Sequence, residues 1–308
     1  MRINIVLNPA GGSGGTLKLW RKLEPVFKEQ GCDYKLYRST PSCGIGELCR
    51  RLTSSGQETA LVVIGGDGSL NEAVNGIKDF EHTRFGFIPC GTGNDMARDM
   101  SLPKKKDDIV RRLADCSVKR ISDIGELTFY GEEGVVKRRF NISSDIGFGA
   151  ATCALVNRSR IKPVLNRIGL GRLIYLIEAV RVCFTMKPTP VKISADGKVS
   201  SYRKCLCVIA MNHRCEGGGF RFCPEADFTD GRLDVVIGDG LSHLEFLRML
   251  PYAYMGRHLK LRGISLVRAE KVTMLSASPI WAHTDGEVLG KTKKVSVKII
   301  PQKLQLMI

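Results

Sequence analysis

Three glycine-rich segments that also carry carboxylates and amides could do chemistry in this chain. The strongest is residues 65–69, Gly-Gly-Asp-Gly-Ser, which follow an apolar run and precede a helical pattern. Glycines let backbone N–H groups approach phosphate oxygens, and a helix N-terminus adds its positive end. A carboxylate such as Asp67 fits an anion site mainly when Mg²⁺ lies between the two. The segment predicts a polyphosphate site, with a plain strand-to-helix connection as the alternative.

Two further segments have the same combination of glycines and polar residues after an apolar run. Residues 89–98 contain two glycines, a second carboxylate at Asp95, and the polar side chains Thr92 and Asn94. The chain also opens with a short apolar run that ends in Asn8-Pro9 and four glycines. Because the carboxyl ends of parallel strands meet at one edge of a sheet, where α/β proteins bind ligands, we expect the three turns to form one site.

The elements that must position these turns alternate between strand and helix in the first 120 residues. The pattern predicts strands at 3–7, 34–38, 59–64 and 84–88, and helices at about 17–30, 45–52 and 70–77. The basic and polar segment from Lys104 to Asp108 is predicted to open a further surface helix. This alternation predicts an α/β domain, residues 1–122, with a mostly parallel sheet covered by helices.

The pattern changes after Asp123 to strand runs with few helices, which predicts a mainly antiparallel β-sandwich over residues 123–298. The last strand, about 299–308, is predicted to join the first domain. The strand runs are 121–130, 137–144, 191–195, 204–211, 232–237, 265–275 and 295–299.

One helical stretch, 161–186, interrupts this β half. Its apolar residues Leu170, Leu173, Ile174, Ile177, Val180 and Phe184 recur at helical spacing. The spacing predicts a stripe packed into a core. The alternative is a helix that faces lipid, since basic residues surround its start.

Charge and composition narrow the class of partner. The 47 Lys and Arg against 31 Asp and Glu give a formal charge of +16, which favours anionic partners. Aromatic residues make up only 7% of the chain, and neither an RNA-recognition signature nor a helix-turn-helix pattern is present, so no nucleic acid is expected. An anionic membrane surface is the favoured partner, and a solvated basic face is the alternative.

The sequence contains no pattern typical of a signal peptide, a membrane span or a disulfide-rich protein. The first apolar run is too short for a signal-peptide core, and no run of about 18 apolar residues could span a bilayer, so a cytoplasmic protein is expected. Eleven scattered cysteines without a Cys-x-x-Cys pair predict reduced thiols rather than disulfides or a metal site.

Together, the three glycine segments resemble the diacylglycerol kinase catalytic domain, whose family includes bacterial lipid kinases, sphingosine kinases and ceramide kinases. The resemblance extends through Asp230-Gly231-x-Leu233 and Asp285-Gly286-Glu287, so it covers nearly the whole chain in family order. The family commonly has Thr where this chain has Ser69. That difference keeps the hydroxyl group.

The resemblance implies an ATP-dependent lipid kinase that acts with Mg²⁺ on a lipid hydroxyl, with diacylglycerol the first expectation. It implies that Asp67 and Asp95 act on the phosphates through Mg²⁺ and water, and that Asp285 is the general base. Without the resemblance, Asp285 would be read as part of a structural turn. The residues implied to hold the nucleotide are Asn8, Thr40, Gly65, Gly66, Asp67, Gly68, Ser69, Asn71, Glu72, Gly91, Thr92, Asn94 and Asp95.

A second cation site is also implied. Asp227, Asp230 and the Arg232 carbonyl have the spacing at which bacterial members of the family resemble a structural Mg²⁺ or Ca²⁺ site. An acidic hairpin turn without metal is an equal alternative. Of the histidines, His283 lies two residues before Asp285 and could tune it, whereas the others are expected to be surface or packed residues.

Other classes of protein stay open. An NAD kinase also uses a Gly-Gly-Asp-Gly turn, although the other two segments do not fit it, and a 6-phosphofructokinase would need a longer chain. A non-catalytic lipid-binding regulator that keeps the fold is the alternative outside the enzymes. The sequence does not determine the acceptor lipid or the oligomeric state, for which a homodimer is one option.

Overall fold

The computed structural model describes residues 1–91, 93–159 and 171–308. The chain folds into two compact units. Unit 1 comprises Met1–Ile124, Phe228–Asp230 and Ile300–Ile308, and unit 2 comprises Gly125–Asp227 and Gly231–Ile299.

Unit 1 is an α/β fold with a parallel sheet. Its strands are β1 (Ile3–Leu7), β2 (Tyr34–Arg38), β3 (Thr59–Gly65) and β4 (Thr83–Pro89). They lie side by side in the order β4-β3-β1-β2, and all of these pairs are parallel. Every residue of β3 is buried, as expected for a central strand covered on both faces.

Helices lie between these strands and after the last of them. They are α1 (Gly15–Glu29), α2 (Ile45–Leu52), α3 (Asp67–Gly76), α4 (Asp95–Asp99) and α5 (Lys106–Leu113). In α1 the residues Trp20, Leu23 and Phe27 recur at helical spacing and are buried, so this face packs into the core. The basic and polar segment before Ile109 does open a helix, as the sequence indicated.

Unit 2 is an antiparallel, sandwich-like β fold with three helices between its strands in the described residues. The strands are β5 (Arg120–Gly131), β6 (Gly134–Phe140), β7 (Ser143–Gly147), β8 (Thr189–Ala195), β9 (Lys198–Met211), β10 (Leu233–Asp239), β11 (Ile264–Ala269), β12 (Lys271–Thr284) and β13 (Glu287–Leu306). The helices are α6 (Phe148–Arg158), α7 (Gly171–Thr185) and α8 (His243–Tyr254).

Strands β5 and β13 are shared by the two units along their length. The end of β13 pairs in parallel with β4 through Gln305 and Leu306, which adds a strand to the sheet of unit 1. The earlier part of β13 pairs antiparallel with β12 in unit 2. Buried apolar side chains such as Phe140, Val208 and Leu233 form the core of unit 2.

Two helices of unit 2 were missed by the expectation of a single helical stretch in the β half. Helix α6 is rich in alanine and has little amphipathic pattern, and five of its eleven residues are buried. Helix α8 carried a usable signal: Ser242 Oγ accepts from the Glu245 N–H at 3.3 Å, and Glu245 Oε2 accepts from the Ser242 N–H at 2.8 Å. This capping box can be read from the Ser-x-x-Glu spacing.

The predicted strand at 265–275 was also wrong in one respect, because it consists of two strands. β11 ends at Ala269 and β12 begins at Lys271. The Asp196 carboxylate accepts the N–H groups of Glu270 and Lys271 at 3.0 and 2.8 Å, which fixes the chain reversal at this point. Such a distant partner leaves no trace in the local pattern.

The predicted apolar stripe of helix 161–186 is corrected within the described part of that helix. Ile174 is buried, but Leu173, Ile177, Val180 and Phe184 are exposed. Leu176, which was not part of the predicted stripe, is exposed as well. The remaining position of the stripe, Leu170, lies outside the described residues. The apolar face of α7 that carries these residues is therefore mainly exposed to solvent and does not pack into a core.

The eleven cysteines are all free in the structure. Most are buried, and burial raises the pKa of the thiols of Cys49 and Cys205 to about 12. Such thiols are protonated and unreactive at neutral pH. Their role is packing.

Candidate functional site

The three glycine-rich turns lie at one edge of the parallel sheet in unit 1. They follow the carboxyl ends of β1, β3 and β4, and these three strands are neighbours. In the register of the sheet, Leu7 is opposite Ile64 and Gly65 is opposite Pro89, so the strands end at the same level. The edge that the sequence pointed to therefore exists.

The first turn is closed by its asparagine. Asn8 Oδ1 accepts from the Ala10 N–H at 2.9 Å, and the Asn8 carbonyl accepts from the Gly11 N–H at 3.0 Å. Thr16 in the first turn of α1 donates its hydroxyl to the Gly11 carbonyl at 3.0 Å. These bonds fix the path from β1 into α1.

Asp67 links the second turn to the third. Its Oδ2 accepts from the Asn94 N–H at 2.8 Å, and its Oδ1 accepts from the Asp95 N–H at 3.1 Å. The carboxylate thus lies at the start of the short helix α4, where backbone N–H groups attract negative charge. In the structure, the Asp67 side chain therefore holds the second and third glycine turns together, and both turns are predicted to bind phosphate.

The second and third turns also approach each other through their backbones. A Cβ on Gly91 would lie 2.6 Å from the Gly66 Cα, and a Cβ on Gly66 would lie 3.1 Å from the Gly91 Cα. A Cβ on Gly93 would lie 2.5 Å from Asp67 Oδ2. Glycine is required at these positions because the two turns pack against each other.

Asn94 and Asp95 shape the third turn. Asn94 has a left-handed backbone conformation with φ of 51°, its Oδ1 accepts from the Gly91 N–H at 2.9 Å, and its Nδ2 donates to the Gly91 carbonyl at 2.6 Å. Asp95 is buried and forms a 2.8 Å ion pair with Arg98. The predicted polar residues therefore organise the loop.

Arg98 is a residue to which sequence analysis assigned no role. Its Nη1 pairs with Asp95, and its Nη2 donates to the Gly93 carbonyl at 3.2 Å. The guanidinium therefore supports the carboxylate and the glycine turn together. The spacing of three residues between Asp95 and Arg98 within a helix was a signal that could have indicated this pair.

The remaining predicted nucleotide residues differ in their surroundings. Thr40 is exposed, and its Oγ1 accepts from the Cys43 N–H at 3.1 Å in a tight turn. Asn71 is buried in α3, where its carbonyl accepts from Asn75 Nδ2 at 2.9 Å, whereas Glu72 is exposed. Thr92 lies outside the described residues. Their roles toward a nucleotide stay predictions.

Asp285 lies in unit 2, in the turn that joins β12 to β13. Its backbone has a positive φ of 48°. Its Oδ2 accepts from the Asn141 N–H at 2.9 Å, and its Oδ1 accepts from the N–H groups of Ile142 and Ser143 at 2.9 and 3.0 Å. Its own N–H donates to the Ser143 carbonyl at 3.0 Å. The predicted base is thus also the residue that anchors its turn to the start of β7.

His283 supports the same turn from a buried position. Its Nδ1 accepts from the Gly286 N–H at 3.1 Å, and burial lowers its pKa to about 4. A neutral ring that accepts at Nδ1 carries its proton on Nε2, which lies 3.7 Å from Glu216 Oε1. Glu216 also accepts from the Ser143 hydroxyl. His283 therefore steadies the turn that holds Asp285.

The second predicted cation site is less defined. Asp227, Asp230 and Arg232 are exposed in the loop before β10. In the described part of the chain, no group of three or more His, Cys, Asp or Glu side chains could hold a metal ion. The predicted ligands are only two carboxylates and one backbone carbonyl, and this finding does not test such a set. The second cation site therefore stays a prediction.

An exposed apolar face is the other surface feature of unit 2. On α7 the exposed residues Leu173, Leu176, Ile177, Val180 and Phe184 recur at spacings of one and two helical turns. The ring of Phe184 lies 5.8 Å from that of His243, which places the end of α7 beside α8 and its exposed Leu244. In the described ranges, no helix is both long and apolar enough to cross a membrane.

Comparison with protein families gives two matches that together cover most of the chain. Residues 2–126 match the diacylglycerol kinase catalytic domain. Residues 143–308 match the YegS C-terminal NAD kinase beta sandwich-like domain.

Individual proteins show the same likeness. The chain is 26% identical over 306 residues to the diacylglycerol kinase of Mycobacterium tuberculosis strain H37Rv, which covers 99% of this chain and 94% of that protein. A crystal structure of a diacylglycerol kinase from Bacillus anthracis superposes with a TM-score of 0.71 at 19% identity, over 99% of this chain and 96% of the other. An NAD kinase from Archaeoglobus fulgidus in complex with ATP has a TM-score of 0.52 at 11% identity, over 99% and 92%.

Proposed function

The chain belongs to the diacylglycerol kinase catalytic domain family, with a YegS-like C-terminal domain, and on this basis we propose that it is a lipid kinase that transfers the γ-phosphate of ATP to diacylglycerol. The observation that carries the proposal is the Asp67 carboxylate, which joins two glycine turns at the edge of a parallel sheet. Phosphoryl transfer needs this kind of preorganised polar site more than it needs covalent chemistry.

Unit 1 binds the nucleotide in this proposal. The turns after β1, β3 and β4 offer glycines beside helix N-termini, an arrangement that suits polyphosphate. Asn8, Gly66 and Gly91 lie within these turns. The residues proposed to hold ATP are those predicted from the sequence, Thr40 and Thr92 included.

Mg²⁺ fits the donor chemistry of this edge. Asp67 and Asp95 offer carboxylate oxygens, the ligand type that a hard cation prefers, and both side chains are oriented by hydrogen bonds. Bound there with ATP, the ion would neutralise charge on the phosphates. A structural cation at Asp227, Asp230 and the Arg232 carbonyl is a separate part of the proposal.

Unit 2 supplies the acceptor side of the reaction. The lipid hydroxyl oxygen forms a bond to the γ-phosphorus while the bond from that phosphorus to the β–γ bridging oxygen breaks. ADP leaves with the electron pair, and the hydroxyl proton passes to the Asp285 carboxylate. The backbone bonds from residues 141–143 orient this carboxylate before the acceptor arrives.

The enzyme is proposed to be cytoplasmic. Because diacylglycerol is found in membranes, the enzyme is also proposed to dock on an anionic membrane surface. The exposed apolar face of α7 and the formal charge of +16 support this docking. Arg181, Lys187 and Arg248 are exposed near the ends or on the surface of α7 and α8, where they could meet anionic headgroups. No nucleic acid is expected as a partner, and a homodimer stays an open option.

The proposal is tested by steady-state transfer of phosphate from ATP to diacylglycerol in mixed micelles. Asp285→Asn should lower kcat at least a hundredfold with little change in the KM for ATP, because it removes the proton acceptor. Asp67→Asn should mainly raise the KM for ATP, because it loosens the two turns. Asp107→Asn, an exposed carboxylate on α5, is the matched control.

Three outcomes would contradict the proposal. Unchanged turnover in the folded Asp285→Asn protein would remove the assigned base. Lipid association without transfer in the wild type would favour a non-catalytic regulator. Transfer to NAD rather than to lipid would favour the NAD kinase with which the fold is shared.

A further inference from the structure

A cluster of buried polar residues surrounds the turn that holds Asp285. We name it the polar cluster, and its members are Asn141, Ser143, Ser144, Asn212, His283 and Thr284. Each is at most 2% exposed. The cluster joins the ends of β7, β9 and β12, since Ser143 and Ser144 pair with β9 and Thr284 pairs with Ser144. Most of the core of unit 2 is built from apolar side chains.

Much of the polar cluster holds the turn in place. Ser144 donates its hydroxyl to the His283 carbonyl at 3.0 Å. Asn212 Nδ2 donates to the Asn141 carbonyl at 2.9 Å. Together with the bonds of Ser143 and His283 described above, these hydrogen bonds give the polar groups partners, which allows them to be buried in a core.

The side chain of Asn141 is different. It is 2% exposed, yet within the part of the chain that the structure describes neither its Nδ2 nor its Oδ1 has a hydrogen-bond partner. Each buried unpaired group of this kind costs roughly 1–3 kcal/mol of stability. Leucine has a similar size and would avoid that cost, so the amide needs another explanation.

The position of Asn141 indicates that explanation. Its backbone N–H donates to Asp285 Oδ2 at 2.9 Å, so the residue is in direct contact with the proposed base. The neighbouring Thr284 also has a buried hydroxyl without a hydrogen-bond partner among the described residues. Two buried side chains whose polar groups the fold leaves without a partner in the described ranges thus lie next to the group that would accept the proton of the lipid hydroxyl.

We propose that Asn141 recognises the head of the acceptor lipid by donating its Nδ2 to a carbonyl oxygen close to the reacting hydroxyl. This inference rests on the proposed function and narrows its acceptor. It assigns the enzyme to glycerolipids or amide-linked lipids, in which an ester or amide carbonyl lies a few bonds from the hydroxyl. A polyprenol, which has no such oxygen, would leave the amide unpaired and would be a poor substrate.

The first test compares two acceptors with the wild-type enzyme. Diacylglycerol and the dialkyl ether of glycerol have the same hydroxyl and similar chains, but only the first has ester carbonyls. We expect kcat/KM for diacylglycerol to exceed that for the ether at least tenfold, because a site built around a hydrogen bond discriminates against an analogue that lacks it. Equal values would overturn the inference. A wild type that phosphorylates neither lipid would instead refute the proposed function.

The second test replaces the amide by an apolar group of similar size, in Asn141→Leu. The thermal stability should be kept or raised, since the unpaired groups are removed. The KM for diacylglycerol should rise at least tenfold with the KM for ATP unchanged, and the preference for diacylglycerol over its ether should fall to near one. An unchanged preference in the folded variant would contradict the role of Asn141.

Thr189→Val is the matched control for this substitution. Thr189 is buried at the start of β8, and its hydroxyl also has no hydrogen-bond partner in the described residues. β8 meets β12 only as far as Ser276, well before Asp285 in the strand. This control should keep the wild-type preference between ester and ether. A control that lost the preference as well would show that the effect does not belong to Asn141.

Discussion

Two of the carboxylates predicted from the sequence, those of Asp67 and Asp285, are held in place by backbone N–H groups. Asp67 accepts from two such groups and Asp285 accepts from three. The sequence indicated that both residues are important, but the groups that hold them cannot be found from local patterns, because the donors lie 27 or more residues away in the chain. The pairing of distant strands and turns determines these bonds.

Asp285→Asn should therefore affect stability as well as turnover. An amide presents one oxygen and one NH₂ group, so at least one of the three backbone N–H groups would face a donor. We expect a loss of about 1–3 kcal/mol in the free energy of unfolding, measured by urea denaturation. A variant as stable as the wild type would show that these three bonds contribute little. Kinetic measurements on this variant need to be made well below its Tm.

Asp145 makes the stability of unit 2 depend on pH. It is buried on β7, and burial raises the pKa of its carboxyl group to about 7, although the N–H groups of Gly149 and Ala150 oppose the shift. A raised pKa means that the folded state keeps a proton that the unfolded state releases near pH 4. The contribution of this group is therefore full below about pH 4 and is lost as the pH rises through about 7.

Asp145→Asn tests this directly, because the amide stays neutral. The Tm of the variant relative to the wild type should increase by several degrees between pH 5 and pH 8, corresponding to a few kcal/mol. Comparing the two proteins at each pH cancels the effects of the buried histidines, which both contain. A difference in Tm that does not change with pH would show that Asp145 titrates normally.

At the scale of the elements, the sequence predicted the parallel sheet of unit 1 and its glycine turns. The alternation of apolar strands and amphipathic helices is a local pattern, so β1 to β4 could be placed closely. In unit 2 the helices α6 and α8 were missed and the strand at 265–275 was not divided. Their limits depend on burial and on contacts such as that of Asp196, which local patterns do not contain.

The close approach of the second and third turns gives a prediction for Gly91→Ala. The added Cβ would lie 2.6 Å from the Gly66 Cα, so the turns must separate. We expect the affinity for ATP, measured by titration calorimetry, to fall at least tenfold, with a loss of stability of about 1–3 kcal/mol. Asp107→Asn, at an exposed site on α5 outside the three turns, is the control. Equal affinities for the two variants would contradict this packing argument.

The exposed face of α7 gives a prediction about membranes. Leu176 is 57% exposed, and burying a leucine in lipid contributes about 1.5–3 kcal/mol. Leu176→Asp should weaken co-sedimentation with phosphatidylglycerol vesicles at least tenfold without lowering the Tm. Val199→Asp, at a site that is 65% exposed on the β8–β9 hairpin, should bind as the wild type does. Equal losses in the two variants would indicate that added negative charge, rather than this face, weakens binding.

At the scale of the whole molecule, two families of domain are combined in one chain. The α/β unit matches a diacylglycerol kinase catalytic domain, and the β unit has a sandwich-like fold that resembles that of NAD kinases. The shared fold does not separate a lipid acceptor from a dinucleotide. In the proposed function, this distinction depends on the residues around Asp285 and on the surface that meets the acceptor.

The most direct test of the central claim is the transfer of labelled γ-phosphate from ATP to a panel of acceptors by the wild-type protein with Mg²⁺. The panel contains diacylglycerol, a sphingoid base, undecaprenol and phosphatidylglycerol in mixed micelles, together with NAD. We predict labelled phosphatidic acid as the main product. Labelled NADP, or no labelled lipid despite binding of ATP, would contradict the assignment as a lipid kinase.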